Sequence, residues 1–237
     1  MTTQVRDWPV MSEVVESIRS IVQQSDDIGC LAHKDADADS LGSALAFALS
    51  LRATGKRMHP VVPSPTPQLL DYLPGFDALE HDPGELDALF TFDCATIGRF
   101  GDRRDLVENI RPVVNVDHHV SSDGFGTVNL VDPAASATGQ VVYALLRALD
   151  APVTPEVATN LYAALFTDTG GFRHENTTEA ALRLGADLVA LGADPGWVAL
   201  KSYKSRSVSR VRLESLATAA MRTELDGTLI WSEVTQE

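Results

Sequence analysis

Apolar residues recur at helical spacing over residues 9–25, at Val10, Val14, Val15, Ile18, Ile21 and Val22, and this predicts an amphipathic helix. The period then changes. "IGCLAH" (28–33) is a short, unbroken apolar run closed by a histidine, which predicts a buried strand. "SLGSALAFALSLRATG" (40–55) predicts a helix with Ser40 as N-cap and Gly55 as C-terminal stop. "KRMHPVVP" (56–63) is a second strand, and "SPTPQLLDYLPG" (64–75) a proline-punctuated loop with one helical turn. "LDALFTFDCA" (86–95) and "RPVVNVDHH" (111–119) follow as strands three and four. Helices are predicted over 136–149, over 154–172 ending in a Gly-Gly turn, and over 177–193 with Thr177 or Thr178 as cap. Residues 194–224 read as a further helical and more basic segment, and "GTLIWSEVTQE" (227–237) begins as a strand with no later partner.

Near-continuous apolar strands alternating with helices predict an α/β fold, a parallel sheet with helices on both faces. Composition changes that picture little. At 237 residues and 44% apolar, the chain is large enough for a core without staples. Cys30 and Cys94 lie inside apolar runs and read as small buried hydrophobes. No apolar run reaches the length of a membrane span and the N-terminus lacks the pattern of a signal peptide, so the expected location is the cytoplasm. Charge adds more. With 33 acidic and 19 basic residues the net charge is −14, an unfavourable footprint for long duplex nucleic acid but compatible with small phosphorylated ligands if cations are bound.

The polar residues that interrupt the apolar runs fall where ligands bind in parallel sheets, at the carboxyl ends of strands. His33, Asp37 and Asp39 follow strand one; Asp93 ends strand three; Asp117, His118 and His119 end strand four; Asp168 ends the apolar stretch "LYAALFTD". Any one of these is commonly a turn, a cap or a surface pair; their joint occurrence at successive strand ends is the signal. Like charges about 4 Å apart repel by roughly 4 kcal/mol at an effective dielectric of 20. Asp37, Asp39, Asp93 and Asp168 therefore need protons or cations, and two divalent ions balance four carboxylates. Carboxylate with imidazole suits Mn²⁺, Mg²⁺ or Fe²⁺, with Zn²⁺ an alternative. Two such ions activate a bridging water for in-line displacement at phosphorus, so the chemistry indicated is phosphoester hydrolysis.

"HKDADADSLGSALA", "FTFDCA", "NVDHHVSSDGFGTVN", "DPAASATGQVVY" and "LFTDTGGFRHENTT" resemble, in order, the motifs of the DHH phosphoesterase family, over about residues 28–180. The resemblance is nearest to the bacterial oligoribonuclease and phosphoadenosine-phosphate phosphatase branch, the nanoRNases with a RecJ-like DHH domain. It implies that His33, Asp37 and Asp93 hold one metal, usually Mn²⁺, and that Asp39, Asp93, His118 and Asp168 hold the second, with Asp93 bridging. Asp117 is implied to orient an imidazole and His119 to face the substrate phosphate. Arg173, His174 and Ser136 are implied as substrate contacts. Where the family usually has a proline this chain has Ala36, which leaves Asp35 as an extra, solvent-facing charge.

The domain expectation is a catalytic metal-binding domain at 1–190, a helical linker at 191–226, and at 227–237 the start of a second, substrate-gripping domain that is missing or truncated. The expected activity is metal-dependent hydrolysis of short oligoribonucleotides, 3′-phosphoadenosine 5′-phosphate, or linear and cyclic dinucleotides. The alternatives are a family II-like inorganic pyrophosphatase, a RecJ-type single-strand exonuclease, and a non-catalytic nucleotide-binding module. The last predicts a lost ligand, and every ligand position is filled. The family analogy also admits a homodimer, through the apolar helices after residue 136.

Overall fold

A computed structural model describes residues 12–235. Helix α1 (Ser12–Gln24) leads into β1 (Asp27–Ala32), α2 (Ala38–Arg52) and β2 (Arg57–Val61). Proline-rich connections with two 3₁₀ turns reach β3 (Ala88–Phe92). A 3₁₀ segment (Ile97–Arg103) and the short α3 (Arg104–Asn109) precede β4 (Val113–Asp117) and β5 (Val128–Val131). Helices α4 (Thr138–Ala148), α5 (Pro155–Asp168) and α6 (Glu179–Ala190) follow. The strands form one parallel sheet in the order β2-β1-β3-β4-β5, with Cys30 beside Phe90, Phe92 beside Val116 and Asp117 beside Val131. The predicted fold class is the observed one.

Successive side chains of a strand point to opposite faces, so each buried strand feeds two cores. Cys30, Ala32, Phe90, Phe92, Val114 and Val116 join the larger core with α1, α2, α4 and α5. Leu31, Leu89 and Val113 face the other way, against Phe100 and Val107 of the 3₁₀ segment and α3. Helix α2 is buried almost all round, because it lies between the sheet and α5. Its small residues permit that approach: a Cβ on Gly42 would stand 2.9 Å from the Asn160 carbonyl of α5.

Several local expectations are corrected. Asp37, not Ser40, caps α2: its carboxylate accepts the Ser40 N–H (2.9 Å), while the Ser40 hydroxyl accepts the Asp37 N–H (3.2 Å). The segment 97–109 is helical in two short pieces, and β5 is a strand too short and too exposed for its pattern to register. The long helix expected over 194–224 is broken: α7 (Pro195–Ala199), a π-helical turn to Lys204, then α8 (Val208–Ala219) capped by Ser207. The final strand has a partner upstream: β6 (Arg222–Glu224) and β7 (Leu229–Trp231) form an antiparallel hairpin, turned through Asp226 and Gly227 at positive φ. Val10 of the first predicted helix lies outside the described residues.

The chain divides into two compact units, up to Val198 and from Ala199 onward. Among the described residues no helix is long and apolar enough to cross a membrane. Cys30 and Cys94 are both buried and free, and burial pushes the Cys94 thiol up to about 12.

Candidate metal centre

Parallel strands deliver their C-terminal residues to one edge of the sheet, and the functional side chains meet there. His33 follows β1 and is 2% exposed. Its Nδ1–H donates to the Lys34 carbonyl (2.7 Å), which leaves the Nε2 lone pair facing inward, 3.5 Å from Asp93 Oδ2 and 3.9 Å from Asp37 Oδ1. Asp37 and Asp39 flank the start of α2 but differ in setting. Asp37 is exposed and caps the helix; Asp39, two residues on, is 1% exposed. The buried Asp39 carboxylate is cradled by the start of α4, accepting the N–H of Thr138 (2.8 Å) and of Gly139 (2.9 Å). Those two amides belong to the N-terminal turn, where unpaired donors and the helix dipole favour an anion.

Asp93 ends β3 with φ +60°, a backbone region costly for any residue but glycine and tolerated best by Asp and Asn. That turn splits its carboxylate between two clusters. Oδ2 faces His33, and Oδ1 faces His118 Nε2 at 3.5 Å while accepting the Thr138 hydroxyl at 2.9 Å. His118 Nδ1–H donates to the Ala135 carbonyl (3.2 Å), so its Nε2 also faces Asp39 (3.8 Å) and Asp168 (3.7 Å). Two groups could therefore hold a cation, His33–Asp37–Asp93 and Asp39–His118–Asp168, with Asp93 touching both.

The donor set fits a pair of divalent ions. Ligands about 2.1 Å from a common ion stand about 3.0–3.5 Å apart at ordinary coordination angles, and the gaps given above, 3.5–3.9 Å, lie at and just beyond the upper end of that range. Asp93, His118 and His119 form a third close group. It is a poor cation site, because the His119 nitrogen nearest Asp93 is Nδ1, whose proton is committed to Asp117 Oδ1 at 2.8 Å.

Asp117 is fully buried at the end of β4. Its Oδ1 accepts the His119 ring proton and the backbone N–H groups of His118 and His119, which turns His119 Nε2 outward; Oδ2 has no hydrogen-bond partner. Asp117 thus orients His119, while a carbonyl orients His118.

The charges respond to this crowding. Burial, then repulsion from Asp93, Asp168 and Asp37, holds the Asp39 carboxyl well above the usual carboxylate range, against the opposing Gly139 N–H. Asp168 is raised by burial and by Asp93 and Asp37, with His118 opposing. Burial also works to raise Asp93, but three imidazoles outweigh it and draw it down. The His33 imidazolium is disfavoured by burial, yet Asp93, the Lys34 carbonyl and Asp37 together raise its pKa. His119 is raised chiefly by its bond to Asp117. The cluster is a set of anions in search of cations.

Of the remaining expected residues, Asp35 is exposed at φ +56° and belongs to neither ligand group. Ser136 is buried, and its hydroxyl donates to the Asn176 carbonyl, linking two loops. Arg173 and His174 are exposed on the loop after Asp168 and turn back onto it: Arg173 Nε donates to the Gly170 carbonyl (2.6 Å), and His174 Nδ1 lies 3.3 Å from the Asp168 carbonyl.

Sequence pattern missed three residues. Thr138 braces Asp93 and Asp39 from the α4 terminus, and the "SATG" ahead of an apolar run was its only signal. Asn176 donates to the Asp168 carbonyl oxygen (3.2 Å) and reaches its carboxylate (3.4 Å). Arg99 lies against the His33 ring. No periodicity marks the last two.

Comparison with known proteins identifies the family. Residues 27–165 match the DHH family, N-terminal domain. The bifunctional oligoribonuclease and PAP phosphatase NrnA of Thermus thermophilus is 33% identical over 190 residues, 79% of this chain and 56% of that protein. Its counterpart of the same description in Bacillus subtilis is 28% identical over 161 residues, 66% of this chain and 50% of the other. The chain spans about half the length of these curated relatives. The crystal structure of an exopolyphosphatase-related protein from Bacteroides fragilis superposes with a TM-score of 0.82 at 24% identity, covering 90% of this chain and 66% of that one, a likeness of fold. With that match over more than half its length, and with the aspartate and histidines of the naming motif at the end of β4, the chain belongs to the DHH family.

Proposed function

We propose that this chain carries the catalytic unit of a two-metal phosphoesterase, a hydrolase acting on short oligoribonucleotides and on 3′-phosphoadenosine 5′-phosphate, with Mn²⁺ as its cation. One observation carries the reading: the Asp93 carboxylate is divided between His33 Nε2 and His118 Nε2, as a ligand shared by two ions requires. His33, Asp37 and Asp93 would hold one ion, and Asp39, Asp93, His118 and Asp168 the other. When bound, such ions supply charge neutralisation at phosphorus and an acidified water.

The chain's own groups do the rest. Asp117 holds the His119 ring so that Nε2 faces outward, where a protonated His119 donates to the oxygen leaving phosphorus. Thr138 and Asn176 keep the Asp93 and Asp168 carboxylates in place. The names of the NrnA relatives support the substrate class. The net charge of −14 supports small substrates over long polymers.

The test is a panel of a ribo-dinucleotide, 3′-phosphoadenosine 5′-phosphate, cyclic dinucleotides and pyrophosphate, each with Mn²⁺ or Mg²⁺, beside Asp93→Asn. The expected result is hydrolysis of the first two substrates, strongest with Mn²⁺, and its loss in the variant. Hydrolysis of pyrophosphate alone overturns the nucleotide reading; activity that survives Asp93→Asn overturns the shared ligand.

A further inference from the structure

We infer that Arg99 grips a phosphoryl oxygen of the substrate beside the metal site, an assignment that rests on the phosphoesterase reading above. Arg99 Nη2 lies 3.2 Å from His33 Nδ1 and 3.3 Å from His33 Nε2. Those nearly equal distances set the guanidinium against the ring rather than along one lone pair. Nδ1 has its proton on the Lys34 carbonyl and Nε2 faces the Asp37 and Asp93 carboxylates, so neither nitrogen is a good acceptor for Arg99. Its fork of donors is left for another partner.

The other arginines with resolved ion pairs make a contrast. Arg19 pairs with Glu16, Arg57 with Asp27, Arg104 with Glu108, Arg183 with Glu179, and Arg206 and Arg210 with Glu214. Among the described residues no carboxylate lies within ion-pair distance of Arg99, in a chain where acids outnumber bases by 33 to 19. A cation kept beside an acidic cluster, yet paired with none of its carboxylates, is placed for an anion that arrives from solution.

The backbone holds it there. The Arg99 carbonyl accepts the Lys34 N–H (2.7 Å), tying the β3 exit to the β1 exit. Phe100, the next residue, is fully buried edge-on to Phe125. The guanidinium is thereby held against the His33 ring on an exposed residue beside the cluster. A phosphoryl group entering there meets a planar, bidentate donor, the geometry in which arginine exceeds lysine.

The experiment compares Arg99→Gln, Arg99→Lys and the control Arg104→Gln, which removes the same charge five residues away. It measures Mn²⁺ affinity, the affinity of inorganic phosphate for the Mn²⁺-loaded protein, and kcat and KM on 3′-phosphoadenosine 5′-phosphate and a ribo-dinucleotide. Arg99→Gln is expected to weaken phosphate binding and raise KM by about 10- to 100-fold, with Mn²⁺ binding unchanged or tighter. Arg99→Lys recovers part of the loss, and Arg104→Gln matches the parent. A phosphate affinity unchanged in Arg99→Gln overturns the assignment. A fall in Mn²⁺ affinity overturns it too, in favour of a prop for His33. Parent protein that cleaves no phosphoester overturns the underlying reading, whereas active parent with equally active Arg99→Gln overturns only the role of Arg99.

Discussion

Asp168 and Asp117 show how two carboxylates of one cluster carry different burdens. Asp168 is raised by burial and by Asp93 and Asp37, so its ionised form is disfavoured in the folded protein. A carboxyl with a raised folded pKa contributes stability that is present below its unfolded pKa and lost as pH rises through the folded value. Asp168→Asn removes that loss and keeps an acceptor for Asn176. Metal-free Asp168→Asn is therefore expected to melt about 2–4 °C above the parent at pH 8, the gap closing near pH 4, while its Mn²⁺ affinity falls. A melting curve at each pH checks it; an equal gap at both refutes the cause. Asp117 acts on one imidazole only. Asp117→Asn disturbs the His119 ring proton but leaves His118 on the Ala135 carbonyl. Its kcat should fall by about 10- to 100-fold with Mn²⁺ affinity nearly unchanged, as metal titration beside kinetics will show.

At the scale of elements, two glycines set how closely helices approach, and only one touches the site. A Cβ on Gly42 of α2 would press on the Asn160 carbonyl at 2.9 Å, and one on Gly139 of α4 would meet the Ala164 Cβ of α5 at 2.6 Å. Both Gly42→Ala and Gly139→Ala should cost about 1–3 kcal/mol in denaturant unfolding, by overpacking. The Gly139 amide also holds Asp39, so Gly139→Ala alone should weaken Mn²⁺ binding. The strands and helices that carry these contacts were legible where pattern is strong. β1, β3 and β4 are buried on both faces and read as apolar runs, and their exits placed His33, Asp93 and the Asp117–His119 turn correctly at one edge. The 3₁₀ segment at 97–103 was not legible, since it covers the minor core with little more than Phe100 and breaks at Gly101. Arg99 was lost with it. Nor can a pattern of burial reveal that Thr138 and Asn176 brace carboxylates, because the first bond joins residues far apart in the chain and the second closes a loop that has no period.

For the molecule as a whole, the parallel sheet concentrates negative charge that the folded chain does not neutralise by itself. Asp39 and Asp168 are raised, so metal-free protein keeps protons there into a pH range where the unfolded chain has lost them. His33 is raised as well, and its imidazolium must also give up a proton to become a ligand. All three shifts have one sign. Cation binding must expel protons, and affinity must rise with pH until the metal-free cluster is itself ionised. The metal-free fold meanwhile loses the contribution of Asp39 and Asp168 as pH climbs through their folded values. Mn²⁺ at about 100 times its dissociation constant adds about 2.7 kcal/mol per site. The melting temperature of Mn²⁺-loaded protein should therefore exceed that of chelator-treated protein by an increasing margin between pH 5 and pH 8. Calorimetric titrations in buffers of different ionisation enthalpy should show protons released at the lower pH and fewer at the higher. A margin that stays flat with pH, or protons taken up on binding, would mean that the carboxylates at the strand ends are compensated by something other than cations.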